Sequence, residues 1–148
     1  AKRDLAGSVW AAAFVFTRCP SSCPAVHARM RMLQDEFAAA PDFRLVSITV
    51  DPAHDTPEVL RRAAEEAGAD PERWWFLTGE GNAILRLARD GFRLAADAGP
   101  DGGIAGRHPH RTRRARVDRA GAGRGWFDAL GEADLPRLRA EIRALLAE

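Results

Sequence analysis

Segments with a strand pattern alternate with segments with a helix pattern along the first half of this chain, and this alternation restricts the fold more than any other feature. Val9–Phe16 is a continuous apolar run, and Phe43–Val50 is a second strong strand pattern, closed by Asp51-Pro52. Apolar runs of this length, rich in β-branched and aromatic residues, are typical of buried strands. We expect Val9–Phe16 to be a central strand that is covered on both faces.

A helix pattern follows each of these strands. The first helix is predicted from Pro24 to about residues 40–41, because apolar residues recur three or four positions apart, at Val26, Met30, Leu33 and Phe37. In this stripe we interpret Met30 as a core residue rather than a copper ligand. The second helix is predicted with Thr56 as N-cap, Pro57 in the first position and Gly68 as its stop.

The second half of the chain carries shorter elements. In order, they are predicted as strand Trp74–Leu77, helix 82–90, a Gly-rich loop over 97–106, a hairpin of 112–117 with 125–127, and a final helix capped by Asp134. Strand-helix alternation implies parallel pairing, and the hairpin adds antiparallel strands. With 148 residues the chain fits one domain, residues 1–148. We therefore predict an α/β, thioredoxin-like fold with a mixed central sheet flanked by helices and a C-terminal hairpin and helix.

Charge and hydropathy exclude several classes of function. The net charge of +1 argues against binding to nucleic acid or to a membrane surface. No apolar run approaches the length of about 18 residues that a transmembrane helix needs. The basic segment 107–119 is interpreted as a solvated face rather than as a binding patch for an acidic partner.

The only two cysteines, Cys19 and Cys23, lie between the first predicted strand and the first predicted helix. The amino end of a helix carries partial positive charge, which favours the thiolate form of a cysteine. Both copper binding and disulfide exchange require that thiolate. A purely structural disulfide is disfavoured, because closing so short a loop stabilises a fold less than closing a long one.

Two thiolates under-coordinate most metals, so a third ligand is expected from one of four histidines: His27, His54, His108 and His110. His27 is interpreted as a surface residue of the helix and His54 as a turn residue. His108 and His110 flank a proline ahead of a predicted strand. Sulfur with imidazole favours copper or zinc over harder ions, but a closed structural zinc site normally needs a fourth protein ligand.

The sequence resembles the Sco/SenC family of copper chaperones, thioredoxin-like domains that serve cytochrome c oxidase assembly. The resemblance spans almost the whole chain, from residue 7 to the last helix. Four motifs carry it: FTRCPSSCP at 16–24, VDPAHDTP at 50–57, FLTG at 76–79, and HRTR at 110–113 ahead of VDRAG at 117–121. The first two motifs are together highly specific.

This resemblance implies that Cys19, Cys23 and His110 bind a copper ion, with His108 as the fallback because it stands two residues earlier than the family's register. It implies a metallochaperone rather than an enzyme, with the copper-bearing subunit of cytochrome c oxidase as recipient and other copper chaperones or thiol reductants as further partners. It also implies the periplasmic face of the bacterial inner membrane, through an anchor outside this chain. The alternative is a thiol-disulfide oxidoreductase that uses Cys19 and Cys23 on partner cysteines.

Two further features of the family comparison concern charged residues. Asp51 and Asp55 match the family's acidic motif, and we favour a role in making the turn and capping over a role in docking a partner. The segment 113–117 departs from the apolar strand that the family usually has there. Alternation would leave Ala115 and Val117 inward and Arg114 and Arg116 in solvent, which predicts an exposed strand.

Overall fold

The computed structural model describes residues 5, 7–15, 17, 22–80, 83, 86, 97–98, 104–105, 113–117, 123–128 and 134–148, with the backbone alone described for 22–24, for the strands after residue 96 and for 134–135. In chain order the elements are β1 (Val9–Val15), α1 (Ser22–Glu36), β2 (Phe43–Thr49), α2 (Pro57–Ala67), β3 (Trp74–Leu77), β4 (Asp97–Ala98), β5 (Ile104–Ala105), β6 (Arg113–Val117), β7 (Gly123–Asp128) and α3 (Asp134–Ala147).

A mixed sheet of five strands organises the molecule, in the order β3-β2-β1-β6-β7. The strands β1, β2 and β3 are parallel, whereas β6 is antiparallel to both β1 and β7. The strongly apolar β1 lies in the middle, and all of its residues except Trp10 are buried. The predicted mixed sheet with a C-terminal hairpin is confirmed.

Helices α1 and α3 share a hydrophobic core with one face of this sheet. Alternate residues of β1 belong to that core, as the two-residue period of a strand requires. Its buried members are Val9, Ala11, Ala13, Val15, Val26, Met30, Leu33, Phe37, Phe43, Leu45, Trp74, Leu138, Ile142 and Leu145. The intervening residues Phe14, Val46 and Ile48 are buried as well, so the centre of the sheet is covered on both faces, as predicted.

Helix α1 differs from its prediction at both ends. It begins at Ser22, so Pro24 is its third residue rather than its first. Proline is tolerated there, because amide groups in the first turn have no acceptor within the helix. At the other end the helix stops at Glu36, and the chain tightens into a turn in which the Ala40 amide donates to the Phe37 carbonyl at 3.0 Å. Phe37 is still buried, which explains why the apolar pattern continues past the helix.

Helix α2 agrees with its prediction at both ends. The Thr56 hydroxyl accepts a hydrogen bond from the Val59 amide at 3.3 Å, and Pro57 occupies the first helical position. Gly68 ends the helix with φ of 73°, a left-handed conformation that glycine adopts without a steric penalty. Local capping chemistry therefore sets both ends of this helix.

Two predictions about the second half of the chain need correction. The expected loop over 97–106 contains β4 and β5, which pair in antiparallel fashion through Asp97 with Ala105 and Ala98 with Ile104. Strands of two residues carry too few side chains to show a period in the sequence. Asp134 is the first residue of α3 rather than the cap before it. The helix predicted over 82–90 lies mostly outside the described residues, of which 83 and 86 are helical.

The arginine-rich segment forms an interior strand of the sheet. The backbone of β6 pairs with β1 on one side and with β7 on the other, with a register shift between Arg116 and Val117. The predicted hairpin is thus confirmed, although β7 begins at Gly123 rather than at Gly125. The expectation that the arginine side chains face solvent falls outside the described residues.

Candidate metal centre

The carboxyl ends of β1 and β2 lie side by side. Val15 is in register with Thr49, and the Val50 amide donates to the Val15 carbonyl at 2.9 Å. The cysteine loop, residues 16–21, follows β1, and the acidic turn, residues 50–56, follows β2. The two most specific sequence motifs therefore start from the same edge of the sheet, which is where open α/β folds place their binding sites.

Asp55 joins the acidic turn to the start of the cysteine loop. Its fully buried carboxylate accepts hydrogen bonds from the Thr17 amide at 3.1 Å, from the Thr17 hydroxyl, and from the Thr49 hydroxyl at 2.6 Å. Hydrogen bonds to an ionised acceptor are stronger than neutral ones. Because Thr17 stands two residues before Cys19, Asp55 fixes the point from which the cysteine loop departs.

The sequence prediction for Asp55 was correct for the turn, wrong for the cap, and incomplete. The residue does take part in the turn, since its amide donates to the Asp51 carbonyl at 2.9 Å. Its link to Thr17 was not foreseen, although a hydroxyl residue at the end of each apolar run was an available signal. The residue that caps α2 is Thr56 rather than Asp55.

Asp51 and His54 form a pair inside the acidic turn. The His54 Nδ1 atom lies 2.9 Å from the Asp51 Oδ1 atom. The Asp51 side chain is 7% exposed, whereas that of His54 is 44% exposed. His54 is therefore the turn residue that its sequence position predicted, with its ring held by a buried carboxylate.

Cys23 is the second residue of α1, within the first turn of the helix. The backbone amides of a first turn have no helical acceptor and give this end a partial positive charge, which stabilises a thiolate. The structure does not describe the other predicted ligands, Cys19, His108 and His110, and of Cys23 it describes the backbone alone.

The antiparallel pairing of β1 and β6 determines which end of β6 is near the cysteine loop. Ala13 is in register with Arg114, and Trp10 with Val117. The start of β6 consequently lies alongside the carboxyl end of β1. The segment that leads into β6, which contains His108 and His110, reaches the sheet at the same edge as the cysteine loop.

His27 is more buried than a surface residue, which corrects its interpretation from the sequence. Its ring makes edge contacts with Trp74 and Phe76, with centroids 5.9 and 5.3 Å apart. Burial lowers the pKa of His27 below its ordinary value of 6.5. Its buried Nε2 atom has no hydrogen-bond partner among the described residues.

We expect the lowered pKa of His27 to make the fold less stable in acid. Below pH 6.5 the His27 ring binds a proton more readily in the unfolded chain than in the folded one. The free energy of unfolding therefore falls as the pH drops from the ordinary pKa towards the lower pKa of the folded protein. Urea unfolding between pH 8 and pH 5.5 should show a shallower decline for His27→Leu than for the unmodified protein. Parallel curves would contradict this assignment, since every other group titrates alike in both proteins.

Met30 belongs to the core, as predicted. It is fully buried, and its sulfur accepts a hydrogen bond from the Ser47 hydroxyl at 3.7 Å. Among the side chains that the structure describes, no three or more of the His, Cys, Asp and Glu residues are grouped so that they could hold a metal ion. In the same part of the chain, no helix is both long and apolar enough to cross a membrane.

Comparison with known proteins gives a consistent result. The family model described as SCO1/SenC matches residues 1–146. The "SCO1 protein homolog" of Bacillus subtilis (strain 168) is 41% identical over 77 residues, which are 51% of this chain and 40% of that protein. The match with this curated relative thus spans less than half of the relative's length.

Solved structures share the fold over nearly the whole chain. A SCO1/SenC family lipoprotein from Bacillus anthracis str. Ames superposes with a TM-score of 0.85 at 29% identity, over 99% of this chain and 86% of that one. BsSco, described as a Sco family member with a disulfide switch, superposes with a TM-score of 0.79 at 27% identity, over 97% of this chain and 83% of that one. Arabidopsis thaliana ScoI with copper bound superposes with a TM-score of 0.76 at 21% identity, over 99% of this chain and 89% of that one. At this identity the comparison supports the fold alone.

The fold that carries the cysteine loop and the acidic turn is thus shared with these solved structures. The family match leaves out only the last two residues of the chain. This chain belongs to the SCO1/SenC family.

Proposed function

We propose that this protein is a metallochaperone that binds copper through Cys19, Cys23 and His110 and delivers it to the copper-bearing subunit of cytochrome c oxidase. The observation that carries the proposal is the antiparallel register of β1 with β6. It places the first residues of β6 beside the carboxyl end of β1, where the cysteine loop begins. Copper is the cargo in this proposal. The SCO1/SenC family match over residues 1–146 supports it, and the ScoI of Arabidopsis thaliana is a protein of the same fold that has copper bound.

The length of the chain between each histidine and β6 favours His110 as the third ligand. His110 precedes the first residue of β6 by three positions, so it can lie at most about 10 Å from the end of that strand. His108 is two residues further from the strand, which increases this maximum distance by about 7 Å. His108 remains the fallback ligand.

The proposed donor set suits copper that must be released again. Two thiolates with one neutral imidazole form a soft site, and copper(I) accepts three ligands of this kind. The helix start at Cys23 favours the thiolate that copper requires, and the hydrogen bonds of Asp55 hold the loop that carries Cys19. An incoming donor from the recipient can then replace these ligands one at a time.

Copper(I) titration of the reduced protein tests this function. We expect one copper ion per chain, no binding by Cys19→Ser, and a loss of affinity of about tenfold or more for His110→Ala, since even supporting residues of metal sites cost about 10–100-fold when replaced. His108→Ala is the matched control and should bind like the unmodified protein. The assignment fails if His110→Ala binds normally while the protein turns over disulfides.

A second function, thiol-disulfide exchange with partner cysteines, is favoured by the disulfide switch described for BsSco. One cysteine would attack a partner disulfide and the other would resolve the mixed disulfide, so both cysteines end oxidised as the partner is reduced. This function needs no histidine. It would add thiol reductants and other copper chaperones to the partners of the protein.

Attachment to the periplasmic face of the bacterial inner membrane is part of the same proposal. The Bacillus anthracis relative is described as a lipoprotein, which supports a membrane-attached setting. An anchor outside this chain would provide the attachment. Fractionation of cells that express the full-length protein tests this location.

A further inference from the structure

The His54 imidazole has one nitrogen committed to a hydrogen bond and one that carries a lone pair. An ionised carboxylate only accepts hydrogen bonds, so the contact of 2.9 Å with Asp51 requires the proton of the neutral ring to be on Nδ1. The lone pair then belongs to Nε2, on a side chain that is 44% exposed. Histidines that bind metals use this arrangement, in which a carboxylate orients the ring through its other nitrogen.

The backbone holds the ring in place. The His54 amide donates to the Asp51 carbonyl at 3.1 Å, and the His54 carbonyl accepts from the Thr56 amide at 3.0 Å. The Asp51 amide donates to the Thr49 hydroxyl at 3.0 Å. The imidazole is therefore fixed by a turn whose next residue, Asp55, is fully buried.

The same turn is joined to the cysteine loop. Asp55 directly follows His54 and accepts hydrogen bonds from both the amide and the hydroxyl of Thr17. Cys19 is two residues beyond Thr17, so its Cα atom lies at most about 7 Å from that of Thr17. The His54 ring thus stands on the turn that borders the start of the cysteine loop.

We propose that His54 is an accessory copper ligand, used while copper enters or leaves the cysteine pair rather than in the resting complex. This inference rests on the proposed copper function and names a residue outside the set of Cys19, Cys23 and His110. During loading, a copper(I) ion gains a bond to Nε2 as it loses one bond to its carrier. The thiolates of the cysteine pair then replace both the carrier's remaining ligands and Nε2, with any thiol proton released to water, and no electron is transferred.

Copper(I) transfer kinetics separate this role from a resident ligand. In stopped-flow removal by the chelator bathocuproine disulfonate, we expect His54→Ala to release copper about tenfold more slowly, a change of about 1.4 kcal/mol in the barrier. Its equilibrium affinity should change by less than about threefold, equivalent to about 0.7 kcal/mol. Free imidazole in solution should restore the rate of His54→Ala and leave that of the unmodified protein unchanged.

Two variants serve as controls. Asp51→Asn removes the negative charge that orients the ring and should slow transfer less than His54→Ala does. Glu58→Ala changes an exposed residue in the first turn of α2 and should have no effect. Circular dichroism verifies that each variant is folded.

Each result leads to a definite conclusion. Unchanged transfer rates for His54→Ala overturn the accessory role while leaving the copper function intact. An equilibrium affinity that falls as much as the rate also overturns it, because His54 would then be a resident ligand. If the unmodified protein binds no copper, both proposals fail together.

Discussion

Asp55→Ala should destabilise the protein by about 3 kcal/mol, because hydrogen bonds to charged groups each contribute about 1.5–3 kcal/mol and the donors lose their acceptor. The carboxylate is fully buried and serves the amide and hydroxyl of Thr17 together with the hydroxyl of Thr49. The Thr49 hydroxyl is itself buried and would be left without this partner. Urea unfolding measures the change.

A matched control separates this effect from the general loss of an aspartate. Asp35 pairs with Arg31 at 3.3 Å on the surface of α1, with 63% of its side chain exposed. Asp35→Ala should therefore cost no more than about 0.5 kcal/mol. Equal effects of the two substitutions would show that the buried network contributes nothing specific.

Trp74→Ala should cost about 3–5 kcal/mol, the range for removing a large aromatic side chain from a core. Trp74 is 1% exposed, stacks on Phe76 and donates through Nε1 to the Ser47 hydroxyl at 3.0 Å. Its loss would leave a cavity and remove the donor to the Ser47 hydroxyl, which keeps only its weaker bond to the Met30 sulfur. Guanidinium unfolding with a folded-state check by near-UV circular dichroism measures the effect.

The neighbouring tryptophan provides the control. Trp75 points to the other face of β3, is partly exposed and donates to the Pro71 carbonyl at 2.9 Å. Trp75→Ala should cost about 1 kcal/mol, the centre of the distribution for single substitutions. A larger loss for Trp75→Ala than for Trp74→Ala would mean that β3 is buried on the opposite face from the one described.

Local chemistry explains why some elements were predictable and others were not. Helix α2 is bounded by Thr56, Pro57 and Gly68, each of which acts through its own backbone or the next turn, so both ends could be read from the sequence. The carboxyl end of α1 has no such signal, and apolar Phe37 packs in the core from a turn. The strands β4 and β5 pair with each other, and the sequence of two-residue strands does not reveal such pairing.

The same distinction applies to the residues around the site. The cysteine pair and the acidic turn were recognised as motifs, because their residue types and spacing are local properties. The buried state of His27 was missed, since it depends on Trp74 and Phe76 from a distant strand. The bond from Thr17 to Asp55 joins residues 38 positions apart, and only the parallel register of β1 with β2 brings them together.

The alternation of strands and helices, the central place of the apolar β1, the caps of α2 and the family could all be predicted from the amino-acid sequence. These follow from side-chain period, local hydrogen bonding and motif spacing. Which ends of the strands adjoin depends on the folded chain, because strand pairing is a contact between distant parts of the sequence. That pairing set Asp55 beside Thr17, fixed His54 on the turn next to the cysteine loop, and brought the start of β6 to the same edge.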